Sequence, residues 1–539
     1  MNVINIFSKY KLPLVCASLI SFSSACTSSF ESFNTNEHEA TDAMMERDNL
    51  KTGAFFSQLQ RSVVLFNDGT NDDGSYQISQ GLTSDLYSGY LAPTGTWNSG
   101  IHTGSYYFIT NWIEKLFTTG FSSAMPAWQE IVAIAKKQNL PQVSALATIV
   151  KVQAMHRVAD NYGPIPYCDF GSGSLKNDYD ALDAVYVRFF EELDEAIDVL
   201  TQYALVNPEA KILTNYDLIY SGDARRWVKF ANTLRLRLAM RVVYANPSLA
   251  QAEAEKSINN IIGVIRDVND RAALQHSANL IYHHPLHEIA YNFNDGEVRM
   301  GASMDAYMNG YKDPRRAAYF KAAVADGGFH GVRLGIPTSV WKKYVGNNIS
   351  NLNVDASNTQ IVWMTAAESY FLRAEGALRG WAMGGSAKDF YEQGIAMSFD
   401  ENGVNGAANF ISDAVSKPIA FKDNAEGSGL DASAPSDVTI AWDSNTGFEK
   451  NLERIITQKW LALYPDGPEG WAEFRRTGYP KLFPVVSNKS NGTIDSDIQV
   501  RRIPYPQSEY NNNKEGVLSG VSLLGGQDNG GTKLWWDKK

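Results

Sequence analysis

Tyr186, Phe190, Leu193, Ile197 and Leu200 fall at alternating steps of four and three. That spacing draws one apolar stripe along an amphipathic α-helix, and such a stripe has to be buried against a partner. The pattern returns in Gln142–Asn161 (Leu146, Ile149, Val150, Val158), in residues 223–244 (Trp227, Phe230, Leu234, Leu238) and in residues 364–381 (Ala367, Phe371, Ala374, Leu378). Asn161-Tyr-Gly-Pro164 stops the first of these. The chain is therefore predicted to be mostly α.

Two of the helices carry signs of a close partner. Tyr370 to Gly380 holds small residues at Ala374 and Ala377, turns at Gly384-Gly385, and resumes helical spacing at Ala387, Tyr391 and Ile395. Small residues let helices approach closely, and the helix–turn–helix is that of a tetratricopeptide-like unit. Gln142–Asn161 with Asp183–Thr201 reads as a second pair around a long insertion. No strict 34-residue period is visible, so the repeats are degenerate. Stretches 66–106, 325–360 and 402–446, rich in Gly, Asn, Asp and Ser, read as long loops.

The N-terminus has the layout of an export signal. Lys9 and Lys11 precede a short apolar run, and Ser23, Ser24 and Ala25 lead to Cys26. Two readings fit: an ordinary signal peptide, or a lipobox in which Cys26 is acylated and becomes the first mature residue. Several acyl chains on one residue would anchor the protein without a spanning helix. Thr27 stands where an Asp would retain a lipoprotein at the inner membrane, which favours the outer membrane. The expected division is a signal over 1–25, a lipid-anchored tether over 26–47 and one binding domain over 48–539. No linker composition divides the last of these.

Formal net charge is −11, and loss of Lys9 and Lys11 with the signal takes it to −13. So acidic a chain, without a basic stripe, is a poor partner for nucleic acid or anionic lipid. Of three cysteines, Cys16 leaves with the signal, Cys26 takes lipid and Cys168 remains alone. No disulfide framework is possible, and stability rests on the core.

Catalytic signatures are missing. There is no G-x-S-x-G elbow, no phosphate-binding G-x-x-x-x-G-K and no C-x-x-C pair. His283-His284-Pro-Leu-His287-Glu288 is the densest metal candidate but lacks the second His of a zincin helix, and reads as structural or ligand-lining. Asn67 to Gly74 has calcium-loop composition without the spacing, and reads as a solvated turn. No catalytic residue, cofactor or metal site is expected.

What remains is aromatic loop chemistry. Residues 87–112 hold Tyr87, Tyr90, Trp97, Tyr106, Tyr107, Phe108 and Trp112 among Gly, Ser, Thr and Asn. Sugar rings lay C–H patches on aromatic faces while amides bond their hydroxyls. Tyr106, Tyr107 and Trp112, leading into an apolar run, are expected to pack inward. Trp97 with Asn98, between Pro93, Gly95 and Gly100, reads equally as ligand contact or as packing. Tyr90 is a further candidate. A second cluster, Tyr282 to Asn294, adds Tyr291 and Asn292.

Ordered motifs then carry a resemblance. They are Phe30-Glu-Ser-Phe-Asn-Thr-Asn36, Asp160-Asn-Tyr162-Gly-Pro-Ile-Pro-Tyr167, and Tyr220-Ser-Gly-Asp223 with Trp227, Lys229-Phe-Ala-Asn232 and Leu236-Arg237-Leu-Ala-Met-Arg241. Asp313-Pro-Arg315, Glu368 to Gly380 (with Glu375), Gln458-Lys-Trp460, Arg475-Arg476-Thr-Gly-Tyr-Pro480 and Arg501-Arg-Ile-Pro-Tyr-Pro506 follow. The chain resembles the SusD/RagB family of nutrient-binding outer-membrane lipoproteins. The motif charges sit among apolar residues and read as internal ion-pair and capping groups. The resemblance implies a SusD-like fold, with four tetratricopeptide-like helix pairs under a loop-rich ligand-binding face. It also implies a non-catalytic lid for a SusC-like TonB-dependent transporter, taking oligosaccharides or, in some members, peptides. A surface glycoside hydrolase is the remaining alternative. Outer-membrane anchoring with the domain facing outward follows from the same resemblance.

Overall fold

The computed structural model describes residues 49–69, 71–72, 74–173, 177–276, 280–292, 298–344, 348–425 and 427–539. The chain divides into units Met1–Thr52 and Gly53–Lys539, and the second is described here. Cys26, the expected tether 26–47, the motif at Phe30 and, in the second aromatic cluster, Phe293 and Asn294 lie outside the described residues.

The principal helices, in chain order, are α1 (Leu50–Arg61), α2 (Met125–Gln138), α3 (Pro141–Tyr162), α4 (Leu182–Val206), α5 (Ala224–Arg241) and α6 (Pro247–Asn259). They continue with α7 (Ala302–Gly310), α8 (Ala366–Leu378), α9 (Ala387–Glu401), α10 (Gly447–Leu463), α11 (Gly467–Thr477) and α12 (Lys514–Leu523). Their ends are written in the sequence. Pro141 begins α3, and Gly163, at φ 92°, ends it. Asp223 caps α5 by accepting from the backbone N–H groups of Arg225 and Arg226. Asn246, Thr365 and Ser386 do the same for α6, α8 and α9.

Four helix pairs pack together: α3 with α4, α5 with α6, α8 with α9, and α10 with α11. This is the tetratricopeptide-like scaffold, and one contiguous apolar core runs through it. The α8–α9 contact is close because Gly394 has no side chain. A Cβ there would sit 2.8 Å from the Phe371 ring.

Charged residues fasten these pairs from inside. Arg241, fully buried, reaches Glu469 at 2.5 Å, Asp160 at 3.2 Å and Glu473 at 3.5 Å. Arg476 bridges Glu375 at 2.7 Å and Glu473 at 2.6 Å. Arg475 donates instead to the carbonyls of Asp160 and Arg501 and lies 3.5 Å above the Trp471 ring. Tyr186 donates to Asp160 at 2.5 Å, Tyr162 to the Ile113 carbonyl, Trp227 to Asp217 at 2.7 Å and Asn232 to the Gly263 carbonyl at 3.0 Å. Trp536 is wholly buried beneath the guanidinium groups of Arg241 and Arg475.

Two small antiparallel ribbons complete the fold. β1 (Leu91–Pro93) pairs with β3 (Val298–Met300), Leu91 opposite Met300, and β2 (Ala272–Ala273) pairs with β4 (Val362–Met364). The stretch 66–106, expected as an open loop, is folded inward through short helical turns and β1, and most of 75–95 is buried. Its aromatics, such as Tyr76 and Tyr87, supply the burial that its composition conceals.

Candidate functional site

β1 and β3 bring together the bases of the two aromatic segments singled out in the sequence, because β1 leads to Trp97 and β3 follows Tyr291 and Asn292. Just after β1 the chain makes a left-handed turn over Trp97–Gly100. Asn98 (φ 47°, ψ 44°), Ser99 (φ 57°, ψ 32°) and Gly100 (φ 82°) all adopt positive φ. For residues with a Cβ this conformation costs roughly 1–2 kcal/mol each. Strain of this kind persists where surroundings enforce it, and it clusters at ligand sites. Asn98 donates from Nδ2 to the Ile101 carbonyl at 2.9 Å, which helps it tolerate the turn.

The turn leaves Trp97 half-buried and Asn98 exposed. The indole of Trp97 meets that of Trp112 edge to face, with centroids 6.1 Å apart at 83°. His102 supports it from below, 5.4 Å away. Burial holds the His102 imidazole down to about 4, so it is neutral near pH 7. Its Nδ1 accepts from the Gly104 N–H at 3.1 Å, which leaves the proton on Nε2.

The two indoles wall a hollow of about 420 Å³ with Asp72, Gln77, Ile78 and Asn98. This lies within the range of about 300–1,000 Å³ usual for ligand pockets. Gln77 and Ile78 open a π-helical segment, Gln77–Gly81, whose Gln80 turns the other way. Gln80 donates to Asp85 at 3.2 Å and accepts from Arg157 at 2.9 Å, tying the floor of the hollow to the interior. Aromatic faces beside amides and a carboxylate suit a ring with C–H patches and hydroxyls. Asp72 is the one carboxylate among the described lining residues, so the flanking carboxylate pair of glycoside hydrolysis is not assembled there.

Tyr90 corrects the sequence reading. It is 1 % exposed, donates to the Trp460 carbonyl at 2.5 Å and stacks on the Trp460 ring at 5.2 Å. Its hydroxyl and ring are consumed by the core, and it cannot meet a ligand. Tyr291 is half-buried, donates to the Leu352 carbonyl, and carries Lys321 4.6 Å above its ring. Asn292 is exposed and donates to Glu288 at 2.7 Å. Neither lines the Trp97 hollow. Trp112, expected to pack inward, is instead half-exposed on the short turn Thr110–Trp112, while the neighbouring Ile113 is buried. Only that turn distinguishes them, and the sequence carries no signal for it. Tyr106 is buried.

The histidine cluster divides: His283 and His287 approach Glu288, at 3.2 and 3.6 Å. His284 is buried, its Nδ1 accepts from the Leu286 N–H at 3.2 Å, and burial pushes its pKa down to about 3. His283 turns outward to Glu288. Among the described residues no group of three His, Cys, Asp or Glu side chains is arranged to hold a metal ion.

Four helix pairs with inward-folded loops and a hollow walled by two indoles define a tetratricopeptide-like protein. The chain belongs to the SusD-like family: residues 32–537 match the family model described as SusD and RagB outer-membrane lipoprotein. It is similar to a chitin-binding SusD homologue from Flavobacterium johnsoniae, at 40 % identity and TM-score 0.85 over 91 % of this chain and 99 % of that one. SusD homologues from Bacteroides vulgatus (35 %, TM-score 0.84, 92 % and 99 % covered) and Bacteroides uniformis (36 %, 0.82, 90 % and 99 %) are similar too. No curated protein gives a significant match.

Proposed function

We propose that this protein is a non-catalytic lipoprotein that captures an oligosaccharide and acts as the lid of a SusC-like TonB-dependent transporter. Residues 1–25 serve as the export signal, Cys26 carries the lipid, 26–47 form the tether, and the domain from 48 onward faces outward from the cell. The observation that carries the reading is the perpendicular Trp97–Trp112 pair, Trp97 at the head of a left-handed turn, beside a hollow of about 420 Å³. Similarity to a chitin-binding homologue supports β-linked N-acetylglucosamine oligomers as the ligand. The indole faces take the sugar rings, and Gln77 and Asn98 bond hydroxyl and acetamido groups.

Calorimetric titration of the purified protein with N-acetylglucosamine oligomers, followed by chromatography of the recovered sugar, tests this. Saturable binding with the oligomer returned intact is expected. Absence of binding overturns the ligand assignment, and cleavage of the oligomer overturns the non-catalytic role.

A further inference from the structure

A second hollow is lined by neighbours in sequence of residues that line the first. Asp72 lines the first, and Asn71, the preceding residue, lines the second and larger one, of about 840 Å³. Another stretch repeats this, since Trp112 lines the first hollow and Lys115 the second. The two hollows thus draw walls from the same two stretches of chain, 71–72 and 112–115.

Chemistry differs between the two. Among its described lining residues the second hollow has no indoles and a single aromatic ring, Tyr216. Hydroxyls line the walls, and several are already oriented by donating to backbone carbonyls: Ser57 to Tyr216 at 3.1 Å, Thr118 to Glu114 at 3.1 Å, and Ser122 to Thr118 at 2.6 Å. With their protons committed, these oxygens remain as acceptors. Donors come from Lys115 and from Arg61, which forms a long ion pair with Asp68, also in the lining, at 4.0 Å. Fixed acceptors beside cationic donors suit a hydroxyl-rich ligand held by hydrogen bonds, and Ala54, Leu65 and Leu218 add apolar patches for its C–H faces.

We propose that this 840 Å³ hollow is a second subsite that receives the continuation of the glycan held by the indole pair. It reads hydroxyl and acetamido groups where the first subsite reads ring faces. The inference rests on the proposed glycan ligand. A chain long enough to span both hollows gains its second contact intramolecularly, so affinity should rise steeply with length.

The test compares chitobiose with chitohexaose by calorimetry on the whole protein, on Ser122→Trp and on Lys115→Ala. Ser122 is exposed and lines the hollow, and tryptophan there narrows it. The parent should bind hexaose at least about tenfold more tightly than the dimer. Either variant should bring hexaose to within about threefold of the dimer while leaving the dimer affinity unchanged. Dimer binding is also the fold control, and Lys115→Ala replaces the tryptophan variant if that one is misfolded. A length gain that survives both variants, or no length gain in the parent, overturns the second subsite and leaves the first intact. A parent that binds neither the dimer nor the hexaose overturns the glycan assignment, and the subsite with it.

Discussion

Arg237 and Glu368, 131 residues apart in sequence, face each other through two parallel hydrogen bonds. Nε donates to Oε1 at 2.7 Å and Nη2 to Oε2 at 2.6 Å, and both side chains are 1 % exposed. The pair joins α5 to α8, two elements of different helix pairs. Removing one partner leaves the other charge buried and uncompensated. Arg237→Ala should therefore destabilise the domain by about 3–5 kcal/mol. Urea unfolding measures it, and an unchanged midpoint would place Arg237 in solvent. Arg237→Met combined with Glu368→Gln should cost less than the single change, because no bare charge is left behind.

Trp112→Ala and Trp97→Ala should each weaken oligosaccharide binding by about 1–3 kcal/mol, on the scale of aromatic stacking in single-strand nucleic-acid proteins. Both rings are half-buried, so a modest loss of stability accompanies the loss of affinity. Tyr90→Phe should behave in the opposite way. It deletes the buried bond to Trp460 and lowers stability by about 1 kcal/mol with affinity intact. Titration paired with thermal melting separates the two patterns, and weakened binding in Tyr90→Phe would contradict its core placement.

Asp85 gives the fold a pH dependence of unusual sign. Burial raises its carboxyl to about 7, against donors from Tyr76 at 2.8 Å and Gln80. The folded state then holds a proton that the unfolded chain releases near pH 4. The resulting stabilisation is complete below that pH and is lost as pH rises through about 7, by up to about 4 kcal/mol. Asp85→Asn should narrow the difference in unfolding free energy between pH 5 and pH 8. Glu401, also raised to about 7 by burial, leaves a residual slope of the same sign. An unaltered pH profile in Asp85→Asn would mean that the carboxyl is ionised in the fold throughout.

Cys26→Ala should move the protein from the membrane fraction to the soluble one. Among the described residues no helix is long and apolar enough to cross a membrane, and an acyl anchor accounts for attachment by itself. Fractionation in a strain without the transporter, after a high-salt wash, reads the outcome. Retention of the variant in the membrane would refute the anchor.

The scaffold was far easier to read from sequence than the site. Leu193, Ile197 and Leu200 announce α4 through period alone, and Asp223 and Pro141 mark helix starts by local chemistry. These signals act within a few residues of themselves. Trp97, Trp112 and Tyr90 come from one aromatic-rich stretch of similar composition, yet two face the hollow and one fills the core. Backbone turns decide between them: the left-handed run after Trp97, the short turn at Trp112, and the entry into β1 at Tyr90. The turn after Trp97 is packed against a residue more than two hundred positions away, since Thr338 lies 3.0 Å from where a Cβ of Gly100 would stand. No local pattern encodes such a neighbour.

Trp536 ties two helix pairs together through a single ring. Its ring completes the packing around Arg241 and Arg475, residues of two different helix pairs, and Asp537 beside it clasps Arg501 at 2.7 Å. Truncating that one ring, as in Trp536→Ala, therefore opens a cavity shared by two helix pairs and leaves two buried guanidinium groups without their aromatic neighbour.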